Sequence, residues 1–230
     1  MRVHQLVPAL ALLLGACAGL NPPDAPPPAD AQEWHAVALP GKTSTEYQSA
    51  HKDGRWAVAA SSDRSASMWR RKLKRPVGEP TGVRFSWWVQ DLIADASVAD
   101  ASREDSPARV LFGFDGDLTR LTLRTRMMFD LAEALTGERP PYATLMYVWD
   151  AKAPVGTVII NPRSDRIRKI VVDSGDGQLR RWRVHHRDLA ADFRLAFREA
   201  PGPLQSIALM TDSDNTQSRA QSWYGPIELD

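Results

Sequence analysis

The stretch Arg84-Phe85-Ser86-Trp87-Trp88-Val89-Gln90 alternates between apolar and polar side chains, with Trp88 as the one exception. Successive side chains of a strand point to opposite faces, so Phe85, Trp87 and Val89 share one face, while Arg84, Ser86, Trp88 and Gln90 share the other. The first face is predicted to be core, and Trp88 to lie in a different environment. The same period recurs along the chain in Val110, Phe112 and Phe114, in Leu145, Tyr147 and Trp149, and in Trp182, Val184 and His186. Further strands are predicted over 34–39, 43–50, 55–61, 65–73, 157–161, 167–173, 204–211 and 225–229, with Gly, Pro and Asp turn signals between them. Many short strands of this kind predict a mostly β chain folded as a single jelly-roll-like β-sandwich domain.

Two short peripheral helices interrupt the strands. Over 125–136, Met128, Leu131, Ala132 and Leu135 fall at helical spacing; Gly137 is placed to end the helix, and Pro140-Pro141 bars its continuation. A second helix is predicted over 189–198, capped by Asp188, with Leu189, Phe193 and Phe197 as an i, i+4, i+8 stripe. Both are expected to cover the β core.

The chain begins with a short apolar run, Leu6 to Leu14, that leads into Leu14-Gly15-Ala16-Cys17. That run is too short to span a bilayer but suits a secretory signal. The small residues before Cys17 resemble a bacterial lipobox, in which the thiol is alkylated by diacylglycerol and cleavage makes Cys17 the first residue. The alternative is an ordinary signal peptide with an incidental cysteine. On the lipobox reading, residues 1–16 are the signal peptide, 17–32 the lipidated cysteine and a proline-rich tether, and 33–230 the folded domain. Pro22-Pro23 and Pro26-Pro27-Pro28 favour an extended tether. Ala18 stands where an acidic residue would resemble an inner-membrane retention signal, which implies a cell-envelope address on the periplasmic side of the outer membrane.

Composition narrows the partners. The chain has 29 Lys+Arg and 28 Asp+Glu, and Arg2 is the sole Lys, Arg, Asp or Glu before Cys17, so the mature part is formally neutral. Neutrality argues against a nucleic-acid or polybasic membrane-surface role, because those need a net positive field. The basic run Arg70-Arg71-Lys72-Leu73-Lys74-Arg75 is expected at solvated strand ends. Cys17 is the only cysteine, so stability must come from a packed core rather than a disulfide.

The segments Phe85-Ser86-Trp87-Trp88-Val89, Ser106-Pro107-Ala108-Arg109-Val110, Leu145-Met146-Tyr147-Val148-Trp149-Asp150, and Met210-Thr211-Asp212-Ser213-Asp214-Asn215-Thr216 followed by Tyr224-Gly225 form a set. Together they resemble the bacterial envelope family catalogued as domain of unknown function 3047. The likeness runs from about Trp34 to the C-terminus. It brings no defined activity, and it departs at Pro226, where the family pattern has aspartate.

Candidate chemistry is sparse. Asp212, Asp214 and Asn215 crowd the end of one predicted strand, where they could gather around a polyol or a hard cation, or bond the loop backbone as an Asx-turn. No cofactor or metal site is assigned; calcium at Asp212 and Asp214 is the one candidate, although the full calcium-loop pattern is absent. Trp88, and Trp149 beside Asp150, offer the aromatic face and carboxylate that a sugar ring needs, while core packing is the ordinary role of such tryptophans. Arg187 at a strand-to-helix junction is a candidate for an anionic or sugar ligand, or for a structural pair with Asp188. His186 is expected in the core beside Trp182 and Val184. A nucleophile elbow, a His-Glu-x-x-His helix and a cysteine nucleophile are all absent from the sequence, so no catalytic residue is nominated. The leading expectation is a lipid-anchored, non-catalytic envelope module that binds carbohydrate. The alternatives are a glycan hydrolase using paired carboxylates and a structural or protein-interaction lipoprotein.

Overall fold

The computed structural model describes residues 33–77 and 82–230, so Cys17 and the tether lie outside the described residues. In chain order the first strands are β1 (Trp34–Ala38), β2 (Glu46–Lys52), β3 (Arg55–Asp63), β4 (Ser67–Val77), β5 (Gly82–Val89) and β6 (Ser106–Phe114). Helix α1 (Leu123–Thr136) precedes β7 (Ala143–Asp150), β8 (Val158–Asn161), β9 (Ser164–Ser174) and β10 (Arg183–Asp188). Helix α2 (Leu189–Phe197) precedes β11 (Leu204–Asp212), β12 (Arg219–Tyr224) and β13 (Glu228–Leu229). One sheet runs β1-β4-β11-β6-β7-β9-β8, and the other runs β10-β5-β12-β3-β2 with β13 added to β5. The fold is a jelly-roll-like β-sandwich, antiparallel apart from the parallel pair β7 and β9.

The predicted alternation sets the core. Phe85, Trp87 and Val89 face inward from one sheet and meet Val110, Phe112, Phe114, Leu145, Tyr147 and Trp149 from the other. Phe85 stacks on Tyr147 with ring centroids 5.4 Å apart, and Trp87 approaches Trp149 at 6.3 Å. The Trp87 indole N–H donates to Asp173 Oδ2 at 2.8 Å, so this buried polar atom is satisfied across the sandwich. Helix α2 closes one side, capped by Asp188 and burying Leu189, Phe193 and Phe197 as predicted.

Three local expectations are corrected. On β10 it is His185 that faces the core, packed on Phe85 and bonded to Asp173, while Val184 and His186 are exposed. An edge strand carries charge on its inner face here, which inverts the apolar-inward rule. Helix α1 docks through Thr125 and Phe129 instead of the apolar stripe; Leu131 and Leu135 point to solvent. The strand predicted over 225–229 shrinks to β13, and β12, which sequence reading missed, takes the central place in its sheet.

Trp88 lies on the outer face, as its position in the alternation requires, yet it is buried. Its ring packs edge-on against Trp223 and beneath the Lys52 ammonium, 3.7 Å from the ring centroid. Trp87→Ala should cost about 3–5 kcal/mol, since it opens a cavity between the sheets and strands Asp173, whereas Trp88→Ala should cost less because the flexible Lys52 can fill the space. Urea denaturation of both variants checks the order.

Candidate functional site

The inner face of the β1-to-β8 sheet is core; its outer face is apolar as well. Leu111, Met146, Val148, Val171, Ala208 and Met210 form a second cluster there. The loop between β5 and β6 covers one end of this face through Val98, fixed by its N–H to Asp150 Oδ2 at 2.9 Å and by its carbonyl from Lys169. The remainder is an open groove of about 510 Å³, with Met68, Leu111, Met146, Ala208 and Met210 among its lining residues.

One end of the groove is charged. Lys169, fully buried on β9, donates to the Val98 carbonyl at 2.5 Å and to Glu104 Oε1 at 2.6 Å. Asn161 and Arg163 donate to the same Glu104 carboxylate, each at 2.5 Å. Arg109 on β6 donates to the Glu104 carbonyl and, at 2.9 Å, to Asp212 Oδ2; Asp212 Oδ1 accepts from the Ser106 amide at 3.0 Å. Asp214 pairs with Lys42. Asp105 accepts from the Asn215 and Thr216 amides and the Thr216 hydroxyl, and Asn215 Nδ2 donates to the Ala101 carbonyl.

Asp105, Asp212 and Asp214 place carboxylate oxygens within 4.8 Å of one another, a spacing a hard cation could bridge. Their repulsion is already relieved by Arg109, Lys42 and the backbone amides of Ser106, Asn215 and Thr216, the hydrogen-bonded arrangement of an Asx-type loop. Burial pushes the Asp212 carboxyl up to about 7, against the pull of Arg109 and with the push of Asp105. Burial likewise brings the Lys169 ammonium down to about 8, helped by the Arg109 charge and opposed by Glu104.

The residues nominated from sequence are divided among several places. Asp212, Asp214 and Asn215 line the groove's charged end together. Trp149 is fully buried between the sheets, with its indole N–H on the Gly175 carbonyl at 3.0 Å. Asp150 shapes the following loop by accepting from the Val98, Lys152 and Ala153 amides. Arg187 grips Asp192, not Asp188, in a bidentate pair at 2.8 and 2.7 Å, and Tyr147 donates its hydroxyl to the same carboxylate. Trp88 belongs to the other sheet's outer face. None of these four lines the groove. Sequence reading missed Glu104, Arg109, Asn161, Arg163 and Lys169. The available signal was Lys169 itself, set in the apolar run Ile167-Arg168-Lys169-Ile170-Val171-Val172 on the same face as Val171.

Residues 32–228 match the family described as "Protein of unknown function (DUF3047)". No curated protein sequence matches the chain significantly. Among solved structures, the family 11 carbohydrate-binding module from Clostridium thermocellum, in complex with a mixed-linked tetrasaccharide, shares 8% identity at TM-score 0.42, over 86% of this chain and 88% of the module. The xyloglucanase domain of NopAA, a type three effector from Sinorhizobium fredii, shares 8% identity at TM-score 0.42, over 86% and 92%. Likenesses of this size carry no weight for ligand or activity.

The Asp212 carboxyl binds its proton more tightly in the folded chain than at the ordinary aspartate value of 3.8. Its contribution to stability is therefore full below that value and lost as pH rises through about 7. Asp212→Asn should flatten the fall in stability over this range, as read from denaturation midpoints at successive pH values.

Proposed function

The chain belongs to the DUF3047 family, and we propose that it is a non-catalytic ligand-binding module of the cell envelope, tethered through an acylated Cys17 and taking carbohydrate in the groove of its larger sheet. The observation that supports this best is the groove's two-part chemistry. Its Met and Leu floor suits the C–H faces of a sugar ring. Its charged end sets donors from Lys42, Arg163 and Asn215 beside the acceptors of Asp214, and ring hydroxyls need both. The groove's fit rests on this pairing and not on aromatic stacking, because Trp88 and Trp149 are enclosed elsewhere.

Binding is favoured over cleavage by the condition of the carboxylates. Glu104 is held by Lys169, Asn161 and Arg163, and Asp105 has both oxygens occupied by Asn215 and Thr216. Groups so engaged are poorly placed to move protons. A second reading, glycan hydrolysis, draws on one observation: Asp212 retains its proton up to about 7 beside Asp214, as a general acid requires.

Two experiments test the proposal. Screening the protein against envelope and exogenous glycans, with binding and product release read together, should give binding without release. Asp214→Ala should weaken that binding by about tenfold, or ~1.4 kcal/mol, with little change in melting temperature. Unchanged binding with a large stability loss would assign the cluster to the loop alone. Feeding labelled palmitate to cells should mark the wild-type chain and leave Cys17→Ser unmarked; an unlabelled wild type, in cells that label other lipoproteins, overturns the anchor.

A further inference from the structure

Helix α1 turns an apolar stripe away from the protein. Leu123, Met127, Leu131 and Leu135 recur every four residues, and each is at least 60% exposed, on the side opposite the docked Thr125 and Phe129. Met128 lies beside them and is also exposed. A contiguous exposed stripe of this kind marks an interaction surface. Its charges are one-sided. Asp130 and Glu133 share Arg139 as their ion-pair partner, whereas Arg124 and Arg126 are exposed and have no acidic partner within ion-pair distance among the described residues.

The place where the chain enters the domain identifies what covers this stripe. Trp34 pairs with Arg71 on β4, and the flanking Arg70 and Lys72 both hold Glu138, two residues beyond the end of α1. The tether therefore joins the domain beside the C-terminal end of α1. Residues 18–33 can extend to roughly 55 Å at most, and a domain of this length is roughly 40 Å across. An acyl anchor at Cys17 thus leaves the end of the domain that carries α1 within reach of the bilayer, and the tether is long enough for α1 to turn onto it. No helix among the described residues is long and apolar enough to cross a membrane, so contact by α1 means lying along the surface.

We propose that the exposed stripe of α1 lies in the headgroup region of the anchoring bilayer, with Arg124 and Arg126 meeting lipid phosphates; this rests on the acylated Cys17 of the proposed function. The apolar residues enter the acyl boundary while the arginines add electrostatic attraction to anionic lipid. The opposite end of the larger sheet, with Asp212, Asp214 and the charged end of the groove, then points away from the membrane.

The test uses the acylated full chain in vesicles of phosphatidylcholine with phosphatidylglycerol as the minor lipid. Acylated Cys17 has no thiol and the chain has no other cysteine, so Leu131→Cys takes a fluorophore at one site. Val155→Cys, equally exposed and apolar but on the loop leaving the far end of β7, is the control. A lipid carrying a quencher high on its acyl chain should quench the label at Leu131 severalfold more than the label at Val155. Met127→Glu with Leu135→Glu should abolish that difference without moving the melting temperature, because both side chains are exposed. Equal quenching at the two sites overturns the proposal. So does energy transfer between labels at Leu131 in separate copies, which would show that the stripe pairs with a second chain. An intact mass lacking acyl chains overturns the anchor itself and removes the premise, an outcome distinct from an anchored chain whose helix stays dry.

Discussion

The Asp173 carboxylate, 2% exposed, holds the two sheets together at one point. It sits on β9 in the larger sheet and accepts from the Trp87 indole on β5 and from His185 and Arg183 on β10 in the smaller one. Burial opposes its ionisation, but the bonds from His185 and Trp87, with the nearby cations, keep its pKa below the ordinary aspartate value. A charge taken out of water is tolerated only where donors surround it, so these four side chains hold one another in place. Tyr147, Asp192 and Arg187 repeat the device one strand pair away, tying β7 to α2 and β10. Between the two ties lies the stack of Phe85 on Tyr147, so apolar packing and polar pairing fix the same register.

This arrangement explains which parts of the fold could be read in advance. Phe85, Trp87 and Val89 announce their face because the space they fill is dry and the opposite face is mostly polar. On β10 the inner face carries Arg183, His185 and Arg187, because their partners Asp173 and Asp192 arrive from distant segments; no local pattern reveals that. The α1 stripe was legible as a helix and misleading as a core face, since Phe129 alone supplies most of the docking and the spacing of Leu131 and Leu135 does not say which side is covered. Strand β12 escaped notice because Ala220 and Ser222 are small. Ala220 packs with Ile93 and Ala96, and Ser222 donates its hydroxyl to the Pro107 carbonyl, so neither adds to an apolar alternation.

The candidate site divides in the same way. Asp212, Asp214 and Asn215 are close in sequence, and their crowding was visible at once. Glu104, Arg109, Asn161 and Lys169 come from four separate segments and converge only after the sheet has formed. The apolar outer face follows a similar logic. A solvated sheet face would read polar at alternate positions, but Leu111, Met146, Met210 and Val171 make β6, β7, β11 and β9 apolar on both sides. Such runs normally indicate burial on both faces. Here the loop between β5 and β6 supplies part of the second cover, and the groove is what it leaves open.

The strand order also has a consequence for the moment at which this chain can fold. In the larger sheet β11 lies between β4 and β6, and in the smaller one β12 lies between β5 and β3. The strands that β11 and β12 separate, β4 and β6 in one sheet and β5 and β3 in the other, all precede residue 115, whereas β11 and β12 themselves begin only at Leu204 and Arg219. A chain emerging N-terminus first cannot join β4 to β6 or β5 to β3, because Arg109 must wait for Met210 and Ala59 for Trp223. Contacts so far apart in sequence make closure slow and leave apolar strands unpaired in the meantime. Folding of this domain is therefore late, beginning in earnest only once β11 and β12 have been delivered.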